Sequence, residues 1–381
     1  MPPDRLSLRL GQLPHAVLAE LAAQLCSDSP ALQAAAEECM AAHNPLPHWA
    51  VERVLLSADL VPHLLGPLGV EDGAAAAVCS QWLAGWKATN EPRRQLKPVP
   101  FDFPEELLTY EMSMTGTPDG RLVVRDPLPK RTSILDSNMR VLQTVPGENH
   151  RCLIAASDDS LFYASYDPPA LRCSSHDGTV DAEYQLEDYE FHCPVLAPGG
   201  LLFCVICMED EDDQDEIIAL DAQTLQLRHR FGRGLLNSVL HLAVGGDELY
   251  VCDNWNDRLQ VFSLIGEHRR SITGDWRSPL WLCFAKDRLY LVERDPEMED
   301  HEGDADGESV EPAFPLQGRR ILVLSLQGDI LQVVTHPTEP MATFQSICCF
   351  GRKLLATYRY WTEESAGTPR RKHGMLALQG L

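Results

Sequence analysis

Three histidines occupy positions that could support metal chemistry. His150 and His192 lie at the start of short apolar runs, and His241 lies inside one. Converging imidazoles and carboxylates bind divalent metals and activate water. However, no carboxylates accompany these histidines at matching positions. The sequence also lacks a G-x-S-x-G motif, a glycine-rich phosphate loop and an acid pair at a fixed spacing. We therefore predict a non-catalytic protein without a metal or cofactor, and keep a metal-dependent enzyme as the alternative.

The twelve cysteines are spread along the chain, mostly inside apolar runs. This distribution is typical of reduced, buried thiols in a reducing compartment. Cys204 and Cys207 form a C-x-x-C spacing, but residues three apart in a strand point to opposite faces. We therefore do not expect these two sulfurs to converge on a metal.

The formal net charge of −24 is concentrated in two short segments. Residues 209–216 contain seven acids and residues 297–311 contain eight, which indicates solvated acidic loops. Asp304-Ala-Asp306-Gly307 is similar to part of an EF-hand loop, but Ala313 stands where the bidentate glutamate belongs. We expect no calcium site there. The acidic balance also argues against nucleic acid as a partner, because that affinity depends on neutralising phosphates.

A repeat with a period near 40 residues runs through the C-terminal three-quarters of the chain. Each copy has a polar turn, an apolar strand that opens on leucine, a polar break and a second apolar strand. The opening leucines are Leu122, Leu161, Leu202, Leu249, Leu289 and Leu354. Paired strands at this period are typical of β-propellers, in which each repeat forms one blade. We predict a mainly β protein with a six-bladed β-propeller over residues 96–381.

One repeat contains the sequence Asp253-x-x-Asn256-x-Arg258, followed by the strand Leu259-Gln-Val-Phe262. This pattern resembles the NHL repeat, and the other copies are degenerate. Asp and Asn side chains can cap turn N–H groups, while Arg can bridge to an acid or carbonyls across the hairpin. We expect these residues to have a structural role. A strand near Glu106–Met112 is expected to complete the last blade and close the ring.

Propellers usually bind partners on the loops that enter the inner strands. Those loops contain several aromatic, amide and basic residues, which are plausible anchors for a peptide or protein. The predicted propeller-face residues are His150, Arg151, Phe191, His192, Asn237, Trp276, Arg277, Phe344 and Gln345.

Residues 1–95 read as short amphipathic helices separated by Pro and Gly. The segment from Asp59 to Leu68, followed by Ala77-Val78-Cys79 and Trp82, resembles an F-box. That resemblance implies a helical bundle that docks onto a Skp-type adaptor of a cullin–RING ubiquitin ligase. The implied adaptor-binding residues are Leu60, Pro62, Leu64, Leu65, Leu68, Val78 and Trp82. The same side chains could instead form the core of the bundle.

The two resemblances together predict a substrate receptor of an SCF-type ubiquitin ligase, with the propeller holding an unknown target protein. The alternatives are a metal-dependent hydrolase or lyase, which some NHL-like propellers are, and an interaction scaffold without ligase coupling. The N-terminus lacks the apolar core of a secretory signal, and the apolar run 201–208 is too short to cross a membrane. We therefore expect a cytoplasmic or nuclear protein that is not membrane-bound.

Overall fold

The structure is a computed structural model. It describes residues 57–58, 60–66, 68, 75–89, 94–108, 112–126, 131–146, 150–166, 168–187, 189–208, 215–294, 318–363 and 369–381. By its internal contacts the chain divides into two units, residues 1–95 with Gly380 and residues 96–379 with Leu381. None of the described helices is long and apolar enough to cross a membrane.

The larger unit contains six four-stranded antiparallel sheets within the described residues, which we call blades 1 to 6. Blade 1 comprises β2 (Ser113–Gly116), β3 (Leu122–Asp126), β4 (Arg131–Leu135) and β5 (Val141–Pro146), and blade 2 comprises β6 (His150–Ala156), β7 (Ser160–Tyr166), β8 (Pro169–Ser175) and β9 (Val180–Tyr184). Blade 3 comprises β10 (Tyr189–Ala197), β11 (Leu201–Met208), β12 (Glu216–Asp221) and β13 (Leu227–Phe231), and blade 4 comprises β14 (Val239–Gly245), β15 (Glu248–Asp253), β16 (Arg258–Ser263) and β17 (His268–Ile272). Blade 5 comprises β18 (Pro279–Ala285), β19 (Arg288–Glu293), β20 (Arg320–Leu324) and β21 (Ile330–Thr335), and blade 6 comprises β22 (Thr343–Phe350), β23 (Lys353–Glu363), β24 (Pro369–Gln379) and β1 (Lys97–Val99). Short 3-10 helices occur at Glu105–Leu107 and Asn254–Asn256.

The first strands of the blades contact one another in cyclic order, from β2 through β6, β10, β14, β18 and β22 back to β2. The inner strands therefore form a closed ring, and the described part of the larger unit is a six-bladed β-propeller. The predicted β-propeller is confirmed. The six opening leucines all lie in the second strands of their blades, and all are buried.

The strands are apolar because neighbouring blades cover both of their faces. In β15, Leu249 and Val251 pack in the core between blades 3 and 4. Tyr250 and Cys252, on the opposite face, pack in the core between blades 4 and 5. Side chains alternate between faces along a strand, so a strand that is buried on both sides becomes a continuous apolar run.

The ring closes in blade 6, where strands from the two ends of the propeller chain meet. β1 pairs with β24, and Lys97 lies opposite Gln379 while Val99 lies opposite Ala377. The expectation of a closing strand near Glu106–Met112 is wrong in its position, because Glu105–Leu107 forms a 3-10 helix. Leu107 contributes to the core between blades 1 and 6 instead. Pro98 fits the closing strand because β1 is an edge strand, where a missing N–H costs little.

The two acidic segments fall in equivalent connections. The first lies between β11 and β12, and the second lies between β19 and β20, so each joins the second and third strands of its blade. Residues 209–214 and 297–311 lie outside the described residues. Asp215, at the end of the first segment, is buried, and its carboxylate accepts a hydrogen bond from the Val239 N–H of the next blade.

The described part of the smaller unit contains two α-helices, α1 (Val61–Leu65) and α2 (Ser80–Ala88). Val61, Leu65 and Ala75 form its buried core, and Leu68, Trp82 and Trp86 pack against them. Gly85 allows α2 to approach α1 closely, because a Cβ at that position would lie 2.5 Å from Val61 Cγ1.

Candidate functional site

The inner strands of all six blades line a central cavity of about 620 Å³. Its wall is formed by residues 113–118, 154–156, 193–198, 241–244, 282–284 and 347–351. Among these lining residues there is no Asp, Glu, Lys or Arg. The wall is therefore apolar, with small hydroxyl side chains, thiols and one imidazole, and it carries no charged pair that could perform acid–base chemistry.

Two thiols of the cavity, Cys283 and Cys348, are held in their neutral form. Cys283 and Cys349 belong to neighbouring inner strands, and their sulfur atoms lie 3.4 Å apart. Burial raises the pKa of Cys283 and of Cys348 well above the ordinary thiol value. A thiol must ionise to act as a nucleophile or metal ligand, so these groups are inert near neutral pH. Every cysteine whose side chain the structure describes is a free thiol.

His241 lies in the cavity wall against Trp281, with the two ring centroids 5.0 Å apart. Desolvation by burial lowers the pKa of His241 to about 4. The imidazole is therefore neutral at physiological pH and contributes packing to the wall.

This shift predicts a loss of stability in mild acid. The unfolded chain takes up the proton near pH 6.5 and the folded chain only near pH 4, so the unfolding free energy falls as the pH decreases through that window. Between pH 7 and pH 5, His241 should account for about 2 kcal/mol of the loss. Denaturant unfolding of His241→Gln at both pH values should show a shallower pH dependence. Equal slopes in the two proteins would contradict the assignment.

A buried acid paired with an arginine joins the second and third strands of three blades. In blade 4, the Asp253 carboxylate is fully buried and accepts hydrogen bonds from Arg258 Nε (2.7 Å), Asn256 Nδ2 (2.9 Å) and the Asn237 N–H (2.8 Å). These are the residues of the NHL-like motif, and their contacts are structural, as the sequence predicts.

Blades 1 and 5 contain acid–arginine ion pairs at the equivalent positions. Asp126 pairs with Arg131 at 3.7 Å, and Glu293 forms an ion pair with Arg320. Glu293 also accepts a hydrogen bond from the Arg277 N–H, as Asp253 does from Asn237. The blade 5 pair is not visible as a motif, because the long connection between β19 and β20 separates its two members.

Most of the predicted propeller-face aromatics lie in the interior. Phe191 packs between blades 2 and 3, Trp276 packs in the core of blades 4 and 5, and Phe344 packs in the core of blades 5 and 6. Gln345 is also buried. Because the three aromatic side chains face the neighbouring blades and Gln345 is buried, these four residues are not available to a partner at the surface.

The remaining predicted propeller-face residues differ in their exposure to solvent. Arg277 is exposed, and Asn237 and His192 are half-buried. His150 and Arg151 begin β6, but their side chains lie outside the described part of the structure. The His192 side chain contacts two other potential metal ligands, Cys207 and Glu190.

The predicted adaptor-binding residues differ in their exposure to solvent. Leu65 is buried, and Leu68 and Trp82 pack against the core of the smaller unit. Leu60 and Leu64 remain 43% and 38% exposed, and Leu83 on α2 is 41% exposed. Pro62, near the start of α1, and Val78 are half-buried.

No protein-family model matches this chain, and no curated protein matches it. Its structure is similar to U3-55K, with a TM-score of 0.47, 10% identity, and coverage of 68% of this chain and 80% of that one. It is also similar to a protein of unknown function from Bacteroides caccae (TM-score 0.46, 11% identity, 62% and 81% coverage). A third similar structure is virginiamycin B lyase from Staphylococcus aureus (TM-score 0.42, 14% identity, 73% and 88% coverage). Identities this low describe a shared fold only.

Proposed function

We propose that this chain is a protein-interaction module that serves as a substrate receptor of an SCF-type cullin–RING ubiquitin ligase. In this proposal, the smaller helical unit docks onto a Skp-type adaptor in the cytoplasm or nucleus. The propeller presents its surface to a target protein. The proposal requires no catalytic residue in this chain.

The observation that carries the proposal is the exposure of leucines on a unit that already has its own core. Leu60 and Leu64 are one helical turn apart at α1 and stay exposed, while Val61 and Leu65 fill the interior. Residues spaced i and i+4 present neighbouring anchors to a partner helix or groove. Because this segment resembles an F-box, we infer that the partner is a Skp-type adaptor.

The proposal predicts that Leu60→Asp combined with Leu64→Asp abolishes adaptor binding without unfolding the unit. Anchor residues at an interface contribute about 2 kcal/mol or more each, so the double variant should bind at least about 700-fold more weakly. The measurement is titration of the purified full-length protein with a Skp-type adaptor. Ile265→Asp, at a propeller position that is 69% exposed, is the matched control and should bind normally.

Failure of the folded wild-type protein to bind any Skp-type adaptor would refute the ligase proposal. The scaffold alternative would then remain, with the same propeller and no ligase coupling. The enzyme alternative finds little support in the central cavity, whose described lining offers one neutral histidine and no carboxylate.

A further inference from the structure

Three potential metal ligands lie together on the hairpin formed by β10 and β11. Glu190 is the direct register partner of Cys207, and His192 lies two residues further along β10. All three therefore project from the same face of the sheet. Val205, the register partner of His192, belongs to the core between blades 3 and 4, so this face is directed towards blade 4.

The donor atoms of these side chains converge. His192 Nε2 lies 2.9 Å from Cys207 Sγ and 3.5 Å from Glu190 Oε2, and all three donor atoms lie within 4.8 Å of one another. In a tetrahedral zinc site, standard bond lengths place a nitrogen about 3.6 Å from a sulfur and about 3.4 Å from an oxygen. A displacement of the Cys207 Sγ atom by less than about 1 Å therefore makes room for the ion.

The three residues are half-buried, so the site is accessible to solvent. Three protein ligands with a water in the fourth position form a recurrent zinc arrangement. The nitrogen, sulfur and oxygen donors favour zinc over magnesium or calcium, which select oxygen ligands.

The neighbouring cysteine has a different role. Cys204 is buried on the opposite face, in the core between blades 2 and 3, and its thiol donates to the His192 carbonyl. The two cysteines of the C-x-x-C spacing therefore point apart, as the sequence predicts. The alternation that separates Cys207 from Cys204 also brings it to Glu190 and His192.

The neighbouring sequence also favours a cation here. In the sequence, Cys207 is followed after one residue by the acidic stretch 209–216, whose negative charge raises the local concentration of cations.

We propose that Glu190, His192 and Cys207 form a zinc-binding site on the face of blade 3 that is directed towards blade 4. The three residues belong to the larger unit, and the site does not depend on adaptor binding. It also differs from the expectation that the chain binds no metal.

The test is titration of the chelator-treated full-length protein with Zn²⁺ and, as a spectroscopic probe, Co²⁺. One equivalent should bind, and Co²⁺ should produce a sulfur-to-cobalt charge-transfer band in the near ultraviolet. Cys207→Ser should abolish that band. Glu190→Gln and His192→Gln should weaken zinc binding at least about tenfold, because even residues outside the first coordination sphere contribute that much.

Cys283→Ser is the matched control, since this half-buried thiol lies in the cavity wall of blade 5 and its variant should keep the band. Melting curves establish that each variant is folded. A wild-type protein without the band would overturn the proposal. So would a band that persists in Cys207→Ser, or zinc binding that excess Mg²⁺ abolishes and Cys207→Ser leaves unchanged, since both would place the ion elsewhere.

Discussion

Removal of residues 374–381 is expected to abolish cooperative folding of the propeller. These residues form much of β24, which pairs with β23 on one side and with the closing strand β1 on the other. The deletion removes three buried leucines, Leu376, Leu378 and Leu381. At about 1.5–3 kcal/mol each, their loss costs roughly 5–9 kcal/mol, which is comparable with the whole stability of a typical domain.

Circular dichroism or calorimetric melting of the truncated protein measures this effect. Leu378→Asp places a charge in the same fully buried position and should reproduce much of the loss. The exposed-site variant Ile265→Asp should melt like the wild type. A truncated protein with an unchanged, cooperative melting transition would show that the ring does not depend on this strand pairing.

Replacing Asp253 with Ala should destabilise the propeller by about 3–5 kcal/mol. The variant leaves the Arg258 guanidinium and the Asn237 N–H without the carboxylate that now accepts from both. Breaking a buried pair from one side costs more than the pair contributes, because the remaining polar group stays desolvated. The measurement is the unfolding free energy in denaturant.

Asp247→Ala is the matched control, because the Asp247 side chain is 80% exposed and pairs with Arg269 at the surface. Exposed ion pairs contribute little, so this variant should unfold like the wild type. The double variant Asp253→Ala with Arg258→Met should recover part of the loss by removing the orphaned charge. If Asp253→Ala and Asp247→Ala behave alike, the buried acid–arginine pair does not hold the blade together.

The sequence is informative about the propeller because packing imposes a pattern on it. The second strand of each blade is covered by neighbouring blades on both faces, so Leu122, Leu249 and Leu354 open apolar runs that can be aligned by eye. The closing strand has no such pattern. Lys97-Pro98-Val99 lies at an exposed edge and contributes mainly backbone pairing, which leaves little trace in residue type.

The candidate sites are harder to predict, because residue types that bind partners at a surface also pack in the core between blades. Phe191, Trp276 and Phe344 have the character of peptide anchors, yet they face neighbouring blades. Cys207 and Glu190 lie on consecutive strands, and only the register of β10 against β11 brings them together. Similarly, Glu293 and Arg320 become partners only when the chain returns from the acidic segment.

The pairing of Lys97 with Gln379 has a consequence for biosynthesis. The closing strand β1 is translated before every other strand of the propeller, and its partner β24 is translated after them. A nascent chain therefore has no closed ring, and an open β-edge persists until β24 has emerged. Since unpaired edges promote aggregation, chaperone protection during and shortly after translation matters more for this protein than for one whose neighbouring strands are consecutive.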